Sequence, residues 1–212
     1  MRVLDLFCGA GGASMGYHRA GFEVVGVDVK KQPDYPFRFV QMDALEALDR
    51  IHRADFDLIH ASPPCQKFSI TANLARAQGK KASDIDLLTP LRPLLQASGL
   101  SYVIENVRGA PLKNPITLCG STFNLGVRRH RLFESNLPLV DHGPCQHKQQ
   151  GRPIGVYYSI GDSIPKGGKT AESLEQGQEA MGIDWMPWSS LREAIPPEYS
   201  LWIGRQAQAL LS

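Results

Sequence analysis

The chain has 212 residues, 42% of them hydrophobic, with 23 basic residues against 21 acidic and a net charge of +2. That length supports one sizeable core and a small appendage, and the near-neutral balance excludes a global field that would draw a polyanion onto the surface, so basic contacts have to be local. Four cysteines, no visible secretory signal and no membrane-length apolar run exclude a disulfide scaffold and a membrane protein; a cytoplasmic, reducing compartment is expected.

In chain order, the apolar start Arg2-Val3-Leu4 predicts a strand over Arg2–Phe7, leading into Asp5-Leu6-Phe7-Cys8-Gly9-Ala10-Gly11-Gly12 and a helix from Ala13 to Ala20. In a strand, glycine turn and helix of this kind a ligand can lie against the backbone, and the helix N-terminus offers unpaired N–H groups. The glycines do not match G-x-G-x-x-G. A second buried strand, Glu23–Val27, ends in Asp28, about where a Rossmann-like site uses an acid to bind ribose hydroxyls. The next, Phe39–Met42, ends in Asp43; since Ala44 to Ile51 reads as a helix, Asp43 fits an N-cap as well as a pocket. No G-x-x-x-x-G-K-[ST] occurs, so phosphate transfer is not indicated.

The run Leu58–Ala61 predicts a further strand that feeds Pro63-Pro64-Cys65-Gln66-Lys67. A lone cysteine is commonly a packing residue, but a proline-locked turn at a strand end fixes a thiol's direction of approach, as a nucleophile requires. Strand Tyr102–Glu105 delivers a carboxyl to the same sheet edge. In Arg128-Arg129-His130-Arg131-Leu132-Phe133, Arg129 and Arg131 alternate and would share one strand face, with strands near Ile116–Phe123 and His130–Glu134. The fold class is therefore α/β: a doubly wound, mostly parallel, Rossmann-like sheet with ligands at the strands' C-terminal ends.

The interval from about Glu134 to Leu191 is rich in Gly, Pro and polar residues. It predicts a short strand within Gly151–Tyr158, an exposed turn over Pro165–Thr170, and a helix from Thr170 to Met181 that ends at Gly182. His142, Cys145 and His147, with Cys119, offer metal-ligand chemistry, but their spacing matches no common zinc pattern and no metal site is assigned. Basic clusters lie at Arg76/Lys80/Lys81, Arg128–Arg131 and Lys166/Lys169.

Asp5 to Gly12, Pro63 to Gln66, Glu105-Asn106-Val107 and Arg129-His130-Arg131, in this order over roughly residues 1 to 135, resemble the DNA (cytosine-5) methyltransferases. The resemblance implies the S-adenosylmethionine-dependent methyltransferase fold, S-adenosyl-L-methionine as cofactor, double-stranded DNA as partner, a monomer, and methylation of C5 of a flipped cytosine. By it Cys65 is the nucleophile that adds to C6, Glu105 holds or protonates N3, Arg129 binds the base or its sugar-phosphate, and Arg131 supports the site. It places cofactor contacts at Phe7, Gly9, Ala10, Gly12, Asp28, Val29, Asp43, Ala44, Pro63 and, through a terminal motif Ile195 to Gln206, Gly204. Residues 77–83 would form a mobile loop that closes on DNA. Val127 stands where the family commonly has Gln, and Arg205 where it has Asn. The implied organisation is a catalytic core at 1–135, a reduced target-recognition region at 136–190 with short or relaxed specificity, and a returning helix at 191–212. Such brevity suits a phage or restriction-modification setting in a bacterial or phage-infected cell. The same motifs would serve an enzyme acting on RNA or free cytosine nucleotides, a related alkyl transfer, or a non-catalytic DNA-binding relative.

Overall fold

The computed structural model describes residues 1–64, 85–164 and 168–212. Its main sheet has the order β3-β2-β1-β4-β5-β7-β6, built from β1 Arg2–Leu6, β2 Glu23–Asp28, β3 Arg38–Gln41, β4 Leu58–Ala61, β5 Ser101–Asn106, β6 Ile116–Leu118 and β7 Arg131–Ser135. The first five strands run parallel and β7 is inserted antiparallel between β5 and β6. This is the doubly wound arrangement expected from the alternation of strands and helices, with the antiparallel hairpin at one edge.

Side-chain alternation splits the central strands between two cores. Leu4, Leu6, Val25, Val27, Ile59, Ala61, Tyr102 and Ile104 face α2 (Ala44–Arg50) and α3 (Leu88–Ser98). Val3, Val24, Leu58, Val103 and Phe133 face α1 (Gly12–Arg19) and the C-terminal helix. Each core strand therefore reads as a continuous apolar run. Three buried polar side chains break this pattern on the α1 face, near the strands' C-terminal ends: Asp5, His60 and Glu105. Asp5 and His60 are direct neighbours in the β1–β4 register.

The segment after β7 carries α4 (His147–Gln150), a small sheet of order β8-β10-β9, then α5 (Leu174–Met181), α6 (Trp188–Leu191) and α7 (Pro197–Leu211). Strand β8 is Ile154–Gly155, β9 is Ser163–Ile164 and β10 is Gly168–Thr170. Two expectations are corrected here. Thr170 does not begin a helix; it closes β10 and is buried, and α5 starts where Ser173 accepts a hydrogen bond from Gln176 N, an N-cap that overrides the helical composition before it. The predicted exposed turn is likewise a strand from Gly168, while residues 165–167 lie outside the described residues. Gly182 ends α5 in the left-handed conformation, as read from the sequence. Among the described residues, no helix is long and apolar enough to cross a membrane.

Candidate active site

At the end of β1 the chain turns sharply through Phe7 (φ 58°) and Gly9 (φ 49°), and Gly11 precedes α1 in the left-handed region. A Cβ at Gly9 would meet nothing within 4 Å, so the turn presents bare backbone to an open space. Asp28, ending β2, borders it: its Oδ2 accepts from Gly9 N at 3.1 Å and its Oδ1 from Lys30 N at 2.9 Å. Each carboxylate oxygen keeps a second lone pair for an incoming hydroxyl. The next residue, Val29, exposes 62% of its surface, unusual for a valine at a strand end.

Asp5 lies beneath this turn, fully buried. Ser14 Oγ donates to its Oδ2 and also meets Tyr35 Oη at 2.8 Å, while Asp5 Oδ1 has no hydrogen-bond partner among the described residues. Burial, opposed by the Ser14 hydrogen bond and reinforced by the charges of Asp28 and Glu105, pushes its pKa up to about 7.

Glu105 stands at the end of β5, 6% exposed. Burial raises its pKa above the ordinary carboxylic acid value, against the lowering influence of Arg131, a hydrogen bond with Ser62 and the charge of Arg129. Arg131 Nε lies 3.0 Å from Glu105 Oε1, an ion-pair contact off hydrogen-bond geometry, so this buried oxygen has no hydrogen-bond donor among the described residues. The next residue, Asn106, donates from Nδ2 to Pro63 O at 3.0 Å and accepts from Val107 N. That bond ties the strand bearing the carboxyl to the diproline turn after β4. Behind it, His60 bridges Tyr17 Oη and Ser62 Oγ at 3.0 Å each; burial lowers its pKa to about 3, so it serves as a neutral hydrogen-bonding spacer.

The structure separates the two arginines that the sequence put on one strand face. Strand β7 begins only at Arg131; Arg129 precedes it with φ 33°, in the left-handed region, and leaves the sheet. Its guanidinium is buried, donating from Nη1 to Val156 O at 3.2 Å and from Nη2 to Arg192 O, with Tyr157 facing it at 5.3 Å. Burial and the charge of Arg131 lower its pKa to about 10, and its Nε has no partner among the described residues. Arg129 thus connects the Glu105 pocket to the later segments.

Several predicted cofactor residues have packing explanations. Asp43 caps α2, accepting from Leu45 N and Glu46 N through Oδ1, and Ala44 is buried in the α2 core. At Gly12, any Cβ would meet Ile195 O at 2.5 Å. Ala10 is buried and accepts from Trp185 Nε1 at 2.9 Å. Gly204 is corrected outright: its Cβ would meet Ala20 Cβ at 2.8 Å and Tyr17, in the contact of α7 with the C-terminal end of α1. Because α1 runs back from the glycine turn, that end points away from the Gly9–Asp28 opening. Cys65, like residues 77–83, lies outside the described residues. Asn106 and Ser62 are the site members that composition did not mark, although Asn106 is part of the quoted Glu-Asn-Val motif.

A family model described as C-5 cytosine-specific DNA methylase matches residues 1–115. The chain belongs to this family. The type II methyltransferase M.HgiDI of Herpetosiphon aurantiacus is 30% identical over 124 residues, covering 53% of this chain but only 38% of that protein. M.AquIA of Picosynechococcus sp. is 27% identical over 223 residues, covering 92% of this chain and 87% of that one. The fold is shared with a prophage-encoded E. coli protein described as a DNA modification methyltransferase, at a TM-score of 0.63 and 14% identity over 100% of this chain and 99% of that one. The cofactor of the C-5 cytosine methylase family is S-adenosyl-L-methionine, and the open Gly9 backbone, the doubly held Asp28 carboxylate and the exposed Val29 fit a nucleoside with a sugar diol and a flat base whose ring face packs on an apolar side chain.

Proposed function

We propose that the chain methylates C5 of cytosine in double-stranded DNA, with Cys65 as nucleophile. One observation carries this reading: Glu105, a buried carboxyl with a raised pKa and an oxygen lacking a hydrogen-bond donor among the described residues, is fastened through Asn106 to the diproline turn whose next residue is Cys65. A buried carboxyl that holds its proton more tightly than an ordinary carboxylic acid suits N3 of a cytosine while a thiolate adds to C6.

S-adenosylmethionine, when bound by Gly9, Asp28 and Val29, supplies a methyl group on positively charged sulfur. The Cys65 thiolate forms its bond to C6, the C5–C6 π electrons become available at C5, and Glu105 shares or donates its proton at N3, so the ring carries no full negative charge. After methylation the C5 proton leaves to a base, the C6–S bond breaks with its electron pair returning to sulfur, and N3 gives its proton back to Glu105, which restores the neutral aromatic ring. Arg131 holds the Glu105 carboxyl in place. Arg129, fixed to Val156 and Arg192 carbonyls, positions the pocket wall and keeps Nε available to the base or its phosphate. Attack on C6 requires the base outside the stack, so flipping is obligatory. The small recognition region supports short or relaxed sequence specificity; methylome mapping that returns a strict site of six or more bases would reject that part.

The test is intact-protein mass spectrometry after incubation with S-adenosylmethionine and a duplex containing 5-fluorocytosine in mixed contexts. Fluorine at C5 blocks the final proton loss, so a methylated covalent adduct mapping to Cys65 is expected. An adduct with RNA alone would reassign the substrate, and none with either polymer would remove the catalytic reading.

A further inference from the structure

Four side chains with no part in that chemistry converge beside β7. Cys119 follows β6, His130 immediately precedes β7, Cys145 lies in the loop beyond it and His147 opens α4. Cys119 Sγ stands 3.3 Å from His147 Nε2, and Cys145 Sγ 3.4 Å from His130 Nε2. The four donor atoms all lie within 4.8 Å of one another, and the imidazoles meet edge to face with centroids 5.1 Å apart. A tetrahedral zinc ion with Zn–S near 2.3 Å and Zn–N of about 2.0–2.1 Å has ligand-to-ligand edges of roughly 3.3–3.8 Å, the scale of these contacts.

We infer that Cys119, His130, Cys145 and His147 form a structural zinc site that staples the recognition region to the start of β7. Packing alone does not account for the group, since Cys145 is exposed and a hydrophobic contact would not bring two imidazole nitrogens onto two sulfurs. Two thiolates balance the dication, and the two imidazoles bind neutral, so the filled site carries no net charge beside the neighbouring arginines; two thiol protons are released on binding. Surrounding contacts also hold the ligands in place: Ser121 Oγ lies 3.2 Å from Cys119 Sγ and accepts from Gln146 N at 3.0 Å, joining the two loops next to the sulfur. His142, which the sequence offered as a ligand, is excluded by its own packing. It stacks on Phe123 at 4.2 Å and meets Trp202 edge-on, and the ligand in its stead is His130, between Arg129 and Arg131. The consequence for catalysis, that the metal holds Arg131 against Glu105, rests on the proposed methyl-transfer function; the metal site itself does not.

The experiment uses the full chain, purified under reducing conditions without chelator. Inductively coupled plasma mass spectrometry should find about one zinc per chain, and the metal-free chain titrated with Co²⁺ should develop the d–d bands of a tetrahedral site together with thiolate charge-transfer absorption. His130→Ala should lose stoichiometric metal, whereas His142→Ala and Cys8→Ser should retain it. The cobalt spectrum of the unmutated chain is a readout independent of whether His130→Ala folds. Absence of the cobalt bands and of zinc after reconstitution overturns the inference, as does retention by His130→Ala with loss by His142→Ala. Metal present in a chain without methyl transfer would leave this inference standing and remove the catalytic one.

Discussion

At the residue scale, two buried carboxyls face different tasks because their surroundings differ. Glu105 has a cationic neighbour, Arg131, and an oxygen without a donor among the described residues, which suits the proposed hydrogen bond to a substrate. Glu105→Gln keeps the shape and removes the acid; single-turnover methylation should slow about 10²- to 10⁴-fold, with cofactor affinity unchanged. An unaltered rate would take Glu105 out of the mechanism. Asp5 has no cationic partner among the described residues, and its effect falls on stability. In the folded chain it holds its proton up to about pH 7, in the unfolded chain only to the ordinary 3.8. Its contribution is therefore full below pH 3.8 and is lost as pH rises through 7, at about 1.4 kcal/mol per pH unit within that interval. Asp5→Asn abolishes this dependence. The difference in chemical-denaturation stability, variant minus parent, should grow from pH 4 to pH 7 and then level off. Parallel stability profiles would mean that Asp5 ionises normally.

At the element scale, α1 and α7 approach so closely that glycine is required between them. A Cβ on Gly16 would overlap the Pro197 carbonyl and Ser200 Oγ, and α7 would have to back away from the sheet. Alanine favours a helix by up to about 1 kcal/mol over glycine, but overpacking against backbone costs about 1–3 kcal/mol. The overlap here involves a main-chain carbonyl, so Gly16→Ala should lower Tm by several degrees. Differential scanning calorimetry showing an equal or higher Tm would mean that the helices can separate freely. These contacts also explain what the sequence concealed. Strands β1, β2, β4 and β5 were legible because their apolar runs end, in that order, in the glycine turn, Asp28, the diproline turn and Glu105, all local signals. Gly204 was misread because a motif near the chain end does not reveal which end of α1 it will touch. The strand-like alternation of Arg129 and Arg131 gave no sign of the left-handed turn that parts them.

At the scale of the whole molecule, the segment after β7 is joined to the main sheet's glycine turn by polar bonds as well as by packing. Trp185 Nε1 donates to Ala10 O, inside the glycine turn, over a separation of 175 residues. Trp185→Phe keeps the ring and removes the donor. Losing one such bond, worth about 0.5–1.5 kcal/mol, should weaken S-adenosylmethionine binding about 2- to 12-fold by isothermal titration calorimetry. An unchanged Kd would show that the turn holds its shape unaided. The four converging thiols and imidazoles belong to this scale too. Their positions in sequence have no common zinc spacing, and only the meeting of β6, β7 and α4 brings them together. The packing of Ala10 and Val127 in one cluster with Val156, Met181 and Leu191 sets a limit on rearranging this chain. Residues 136–190 supply most of that cluster and share it with Ala10 and Val127. A chimera that exchanged them for another protein's segment would have to repack against Ala10 and Val127, so this scaffold should tolerate point substitution better than exchange of the whole segment.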